Sequence, residues 1–163
     1  MQVTQELLKE LFTYCQDSGR LINRVNRGKA KSGDESGGLD NKGYRRVRVL
    51  GERYGAHRLI WLYVHGVWPK EHIDHINGDR ADNRLENLRE ATFSENMRNR
   101  KVQANNKSGF KGVSFSKKNC KWEAHIKVNR KITHLGLFKT PEAAHEAYCQ
   151  AAKQLHKNFA NLG

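Results

Sequence analysis

The chain has 163 residues, 37% of them hydrophobic and 29% charged, with a formal net charge of +13. Length allows one ordinary domain or two small ones, and the composition is too apolar for a disordered chain. No apolar run approaches the roughly 20 residues of a membrane span, the first ten residues lack a secretory layout, and the surplus of positive charge points to a polyanionic partner, nucleic acid first. A cytoplasmic protein is expected. The three cysteines, Cys15, Cys120 and Cys149, are odd in number and widely spaced, so a disulfide framework or a thiolate zinc site is not expected, and reduced structural thiols are.

The charge is uneven. From Arg98 to Lys131 there are eleven basic residues and one acid, Glu123, so this stretch carries +10 of the +13. Within it, residues 101–107 hold Gln103, Asn105 and Asn106 with no apolar period, and read as a linker between a first domain at 1–100 and a second at 108–163.

In the first domain, Thr4 caps a short helix through Phe12, with Leu7, Leu8 and Leu11 on one face. Residues 28–43 are rich in Gly, Ser, Asp and Lys and read as a flexible loop. Tyr44 to Leu50 alternates apolar residues with arginines as a half-exposed strand, and Gly51-Glu52 turns it. Ala56 to His65 is a helix, stopped by Gly66. His72 to His75 is a short strand ending in Asp74-His75, and Asn77-Gly78-Asp79 and Asp82-Asn83 are turn formers. Asn87-Leu88-Arg89 is a brief return strand, and Thr92-x-x-Glu95 is a capping box that starts a helix near Phe93 with Asn96 in its first turn. Strand, loop, strand and helix bring Asp74, His75 and Asn96 into one neighbourhood. His65 and His72 read as solvent-facing, and Asp79 and Asp82 as turn makers.

In the second domain, Phe110, Val113 and Phe115 lie on one strand, Trp122 to Val128 alternates as a strand with one wet face, and Lys131 to Phe138 is a third. Thr140-Pro141-Glu142 opens a helix whose Ala143, Ala144, Ala147, Ala151 and Ala152 allow close approach to the sheet.

The segment from His72 to Asn96 resembles the HNH endonucleases of phage and intron origin, homing enzymes among them, over roughly residues 44–100. The resemblance implies an α+β chain with a ββα-metal nuclease domain. It implies His75 as general base, Asp74 and Asn96 as metal ligands, and Asn87 as a catalytic-motif residue bracing the loop to the strand. Two oxygen ligands suit Mg²⁺ or Mn²⁺ better than zinc. A neutral imidazole can take a proton from water near pH 7, and a metal can neutralise the scissile phosphate. Arg89, Arg98 and Arg100 can hold flanking phosphates. His57, at a helix start, either braces the site or contacts phosphate.

Ser108-Gly109-Phe110-Lys111-Gly112-Val113, Lys121-Trp122-Glu123-Ala124-His125-Ile126, Leu135-Gly136-x-Phe138-x-Thr140-Pro141-Glu142 and the tail Ala160-Asn161-Leu162 resemble the APETALA2/ethylene-response-factor DNA-binding domain. That resemblance implies a three-stranded antiparallel sheet backed by one helix, with the sheet on DNA. Lys101, Lys107, Lys111, Ser114, Lys117, Lys121 and Lys127 are the expected DNA contacts. The combined expectation is a nicking DNA endonuclease acting on double-stranded DNA as a monomer, with a dimer left open and no small-molecule cofactor. The alternative is a non-catalytic DNA-binding protein or transcription regulator, against which the intact Asp74, His75, Asn87 and Asn96 set argues. A basic structural or ribosomal protein would not need that set.

Overall fold

The structure, a computed structural model, describes residues 2–100, 102, 105–128, 131–156 and 159–162. The chain divides into two compact units, the first ending at Thr92 and the second beginning at Phe93. The division falls ahead of the expected linker, Lys101 of which lies outside the described residues.

The first unit opens with α1 (Gln5–Leu11), capped by the Thr4 side chain accepting from the Leu7 N–H. The expected helix through Phe12 stops one residue earlier because Phe12 turns extended and starts a hairpin, β1 (Phe12–Cys15) and β2 (Arg20–Asn23), that the sequence reading lacked. Its strands are only four residues long, below the length at which alternation stands out. Phe12, Tyr14 and Leu21 point into the core. Short β3 (Gly38–Leu39) forms inside the segment read as a loop and pairs with β4 (Arg45–Val49), which pairs with β5 (Glu52–Gly55). Val47 and Val49 face the core while Arg46 and Arg48 face outward, as a period of two requires. α2 (Ala56–His65) buries Ala56, Leu59, Ile60 and Leu62, and ends at left-handed Gly66. β6 (His72–His75) pairs antiparallel with β7 (Leu88–Ala91) and adds Ile73 and Leu88 to the same core. Asn87, expected at the start of the return strand, belongs instead to a 3-10 turn, Leu85–Asn87.

The β4–β5 turn is Leu50-Gly51, not Gly51-Glu52. Val49 pairs with Glu52, which leaves a two-residue loop with φ of 49° at Leu50 and 86° at Gly51. Two-residue hairpins favour positive φ at both positions because their twist then matches the strands. Leucine is a poor occupant of that region, and Leu50 is exposed. Leu50→Asn is therefore expected to stabilise the first unit by about 0.5–1 kcal/mol. Urea titration should show a higher midpoint at constant slope; a lower midpoint would refute the assignment.

The second unit opens with α3 (Phe93–Arg98). β8 (Val113–Ser116), β9 (Lys121–Val128) and β10 (Lys131–Phe138) form an antiparallel sheet of order β10-β9-β8. Phe110 precedes β8 rather than lying on it. α4 (Pro141–His156) starts at Thr140, whose hydroxyl accepts from the Ala143 N–H. It presents Ala144, Tyr148 and Ala152 to the sheet, where they meet Val113, Ala124 and Ile126. Ala147 and Ala151 pack half-buried against the same clusters, and Ala143 is exposed. All three cysteines are free; Cys15 and Cys149 are half-buried, but Cys120 is exposed and so is no core thiol. Among the described residues, no helix is long and apolar enough to cross a membrane.

Candidate active site

The loop from Ile76 to Arg84 is held shape-first by its own polar side chains. Asn77 Oδ1 accepts from Asp79 N–H at 2.8 Å, Asp79 Oδ1 from Ala81 N–H at 2.9 Å, and Asp82 carries the Arg84 guanidinium at 2.7 and 2.9 Å. These are the Asx turns expected of such residues, and the Arg84 fork holds the Asp82 carboxyl at about 2. Asn87 spans the loop: its Oδ1 accepts from Asn77 N–H at 2.9 Å and its Nδ2 donates to Asp82 O at 2.8 Å. Buried Tyr14 reaches in from β1, donating to Asn83 O at 3.2 Å and accepting from Leu85 N–H at 2.9 Å. Burial pushes its phenol pKa up, so the donor proton stays in place.

His75 closes β6 with its ring buried. Its Nε2 lies 3.1 Å from Asn83 Oδ1, while Asn83 Nδ2 donates to Ala81 O at 3.1 Å. The second bond orients the amide with its oxygen toward the imidazole, so Nε2 carries the ring proton and Nδ1 is the basic nitrogen. Burial lowers the His75 pKa, against the opposing pull of the Asn83 bond and of Asp74. His57 stands beside it, ring centroids 5.2 Å apart, and Tyr44 lies 5.5 Å from His57 and 6.0 Å from His75. Burial first, then the neighbouring His75, drive the His57 pKa down to about 3, so both rings are neutral at pH 7. His57 Nδ1 is buried without a hydrogen-bond partner. Arg80 covers Tyr44 at 5.0 Å.

Asp74 and Arg89 face one another across the β6–β7 ladder, and Arg89 Nε and Nη2 donate to Asp74 Oδ2 at 2.9 and 2.8 Å. Asp74 is only 4% exposed. Arg89, expected on a flanking phosphate, thus has its guanidinium on the carboxylate in this structure. Among the described residues there is no cluster of three or more His, Cys, Asp or Glu able to hold a metal ion. Taken singly, Asp74 offers a carboxylate and Asn96 an amide oxygen, the donor types that suit a hard divalent cation. A cation bound at Asp74 would share the carboxylate with Arg89. Asn96 lies in α3, which belongs to the second unit.

A family model for HNH endonuclease matches residues 54–98. Protein 3.8 of Escherichia phage T7 is 33% identical over 107 residues, covering 65% of this chain and 88% of that protein. The chain carries an HNH endonuclease domain. No solved structure matches it. The span matched by the HNH model contains His57, Asp74, His75, Asn83, Asn87, Arg89 and Asn96, and stops before the sheet of the second unit.

Sequence reasoning named Asp74, His75, Asn87 and Asn96 but missed three residues that lie against His75 or its loop: Asn83, Tyr14 and Tyr44. Asn83 read only as a turn former, although a buried asparagine eight residues from the histidine could have been sought as its partner. Tyr14 is 69 residues from Asn83 in sequence, and nothing local announces that contact. His65 and His72 are exposed, as expected. In the second unit Lys107, Ser114, Lys117, Lys121 and Lys127 are exposed. Arg100 is exposed and Arg98 half-exposed. Lys111 differs: its ammonium donates to Arg98 O and Arg100 O, both at 2.7 Å, and burial lowers its pKa to about 8.

Proposed function

We propose that this HNH endonuclease hydrolyses phosphodiester bonds in double-stranded DNA with Mg²⁺ or Mn²⁺, one strand per active site, His75 acting as general base. The observation that carries the reading is the His75–Asn83–Ala81 relay, which fixes the neutral tautomer a base needs before substrate arrives. His75 Nδ1 takes a proton from water as the water oxygen attacks phosphorus, the P–O3′ bond breaks, and the 3′ oxygen leaves with a proton from solvent. Asp74 and Asn96 would each offer an oxygen to a divalent cation, which would supply charge neutralisation at the phosphate and at the departing oxygen. Asn87 keeps the loop that carries Asn83 against the strand that carries His75. His57 braces the His75 ring from behind, a role that fits its burial better than a phosphate contact does.

The experiment is nicking of supercoiled plasmid by the full chain in Mg²⁺, in Mn²⁺ and in chelator. Relaxed circles in metal, none in chelator and none with Asp74→Ala are expected. Tight DNA binding with no cleavage under any metal would favour the alternative, a non-catalytic DNA-binding regulator.

The second unit serves as an APETALA2-like DNA-binding module in this reading, its outward sheet face carrying Ser114, Lys121 and Lys127 with Lys107 and Lys117 nearby. In an otherwise cleavage-dead His75→Ala chain, replacing Lys117, Lys121 and Lys127 with alanine should reduce the log–log salt slope of DNA binding by about 0.9 per lost phosphate contact, close to three in all. An unchanged slope in a filter-binding titration would mean that these lysines are only solvated surface.

A further inference from the structure

α3 is a poor helix by itself. It has six residues, far below the length at which an isolated helix persists in water, and none of its side chains is buried. Its final carbonyls and those just beyond it need donors. Three consecutive carbonyls receive them from elsewhere in the same unit: Arg98 O and Arg100 O from Lys111 Nζ at 2.7 Å each, and Asn99 O, between them, from Asn161 Nδ2 at 2.7 Å. An ammonium at a helix C-terminus is also favoured by the helix dipole.

Both donors are themselves anchored. Lys111 O lies 3.4 Å from His145 Nδ1 on α4, and the Phe110 ring packs on that histidine at 4.9 Å. The next residue, Gly112, has φ of 71°, accepts from the His125 N–H through its carbonyl at 2.9 Å, and sits so close to Tyr148 that a Cβ would come within 2.1 Å of the ring. Only glycine lets the chain pass between α4 and β9 there, and that passage aims the Lys111 stem away from the sheet toward α3. Asn161 is flanked by Ala160 and Leu162, which pack on the cluster of Ile126, Tyr148 and Ala152. A lysine and an asparagine from opposite ends of the C-terminal module thus close on one turn of backbone.

We propose that Lys111 and Asn161 are positioning residues for cleavage: they clamp the C-terminal end of α3 and so hold the helix that carries Asn96. The proposal rests on Asn96 acting as a metal ligand. It takes Lys111 out of the set of DNA contacts, and it makes the C-terminal module a working part of the nuclease rather than a detachable anchor.

The test uses the full chain with Lys111→Met, Lys111→Arg and Asn161→Ala, with exposed Lys153→Met on α4 as control. Three readouts are taken: amide hydrogen exchange across α3, the rate of plasmid nicking at saturating DNA as Mn²⁺ is varied, and the salt slope of DNA binding. Lys111→Met is expected to speed exchange in α3 about ten-fold or more, on the scale of losing a charged hydrogen bond. The same variant should raise the Mn²⁺ concentration for half-maximal nicking and leave the salt slope unchanged. Asn161→Ala should act in the same direction, Lys111→Arg should recover part of the loss because donors remain, and Lys153→Met should match the unaltered chain. Unchanged exchange in α3 for both Lys111→Met and Asn161→Ala overturns the clamp. So does a salt slope lower by about one with normal nicking at saturating DNA, which is the signature of a phosphate contact. If the unaltered chain cuts no DNA while Lys111→Met still loosens α3, the clamp stands and the reading of Asn96 falls.

Discussion

His75→Ala should leave no more than about one hundredth of the cleavage rate, because general-base catalysis is typically worth 10²–10⁴. Its affinity for DNA should be unchanged, since a buried neutral ring contributes no counterion release. The loss should sit in kcat and not in KM, because the proton transfer is made only in the transition state. Asn83→Leu should reproduce part of the loss. It keeps the side-chain volume but removes the oxygen that holds Nε2–H, so the ring can adopt the wrong tautomer or rotate. Single-turnover nicking of a supercoiled plasmid reads both. A His75→Ala chain that cuts at the unaltered rate would remove His75 from the mechanism, and a fully active Asn83→Leu would show that the tautomer is set elsewhere.

The second large effect is on stability in acid. His57 has a pKa of about 3 in the folded chain against about 6.5 unfolded. Between those values the unfolded chain binds the extra proton, so stability must rise with pH across that window. The contribution is fully present above pH 6.5 and is lost as pH falls toward 3. Between pH 7 and pH 4.5 the linkage amounts to about 2.5 kcal/mol from this one ring. His57→Leu removes the titrating group and also the orphaned Nδ1, so the variant should lose much less stability over the same interval than the unaltered chain. Urea titrations at pH 7, 6, 5 and 4.5 measure it. Parallel pH profiles for the two chains would mean that His57 is solvated and ordinarily basic. The same variant separates its two possible roles: DNA affinity at pH 7 stays constant if His57 braces the site and drops if it touches phosphate.

The sequence by itself determined whatever depends on residues close together in the chain. The Asp74-His75 pair, the Asx-turn loop and the helix start at Phe93 are written within 25 consecutive residues, and each rests on a local rule of turn, cap or period. The second sheet and α4 are legible for the same reason: Trp122 to Val128 alternates cleanly, and Thr140-Pro141 supplies an N-cap and a first-turn proline. What tertiary structure decided are the contacts between residues distant in sequence, for which local pattern carries no signal. Asn83 was a turn former until packing set its amide against His75 and put Tyr14, from a hairpin too short to read, under its carbonyl. Arg89 and Lys111 were positive charges, and positive charge in a basic chain points to phosphate. The β6–β7 register instead set Arg89 on Asp74, and the Gly112 passage set Lys111 on the α3 carbonyls. A side chain's charge is a property of the sequence, but which partner neutralises it is settled by burial and distance, and only the folded chain supplies those.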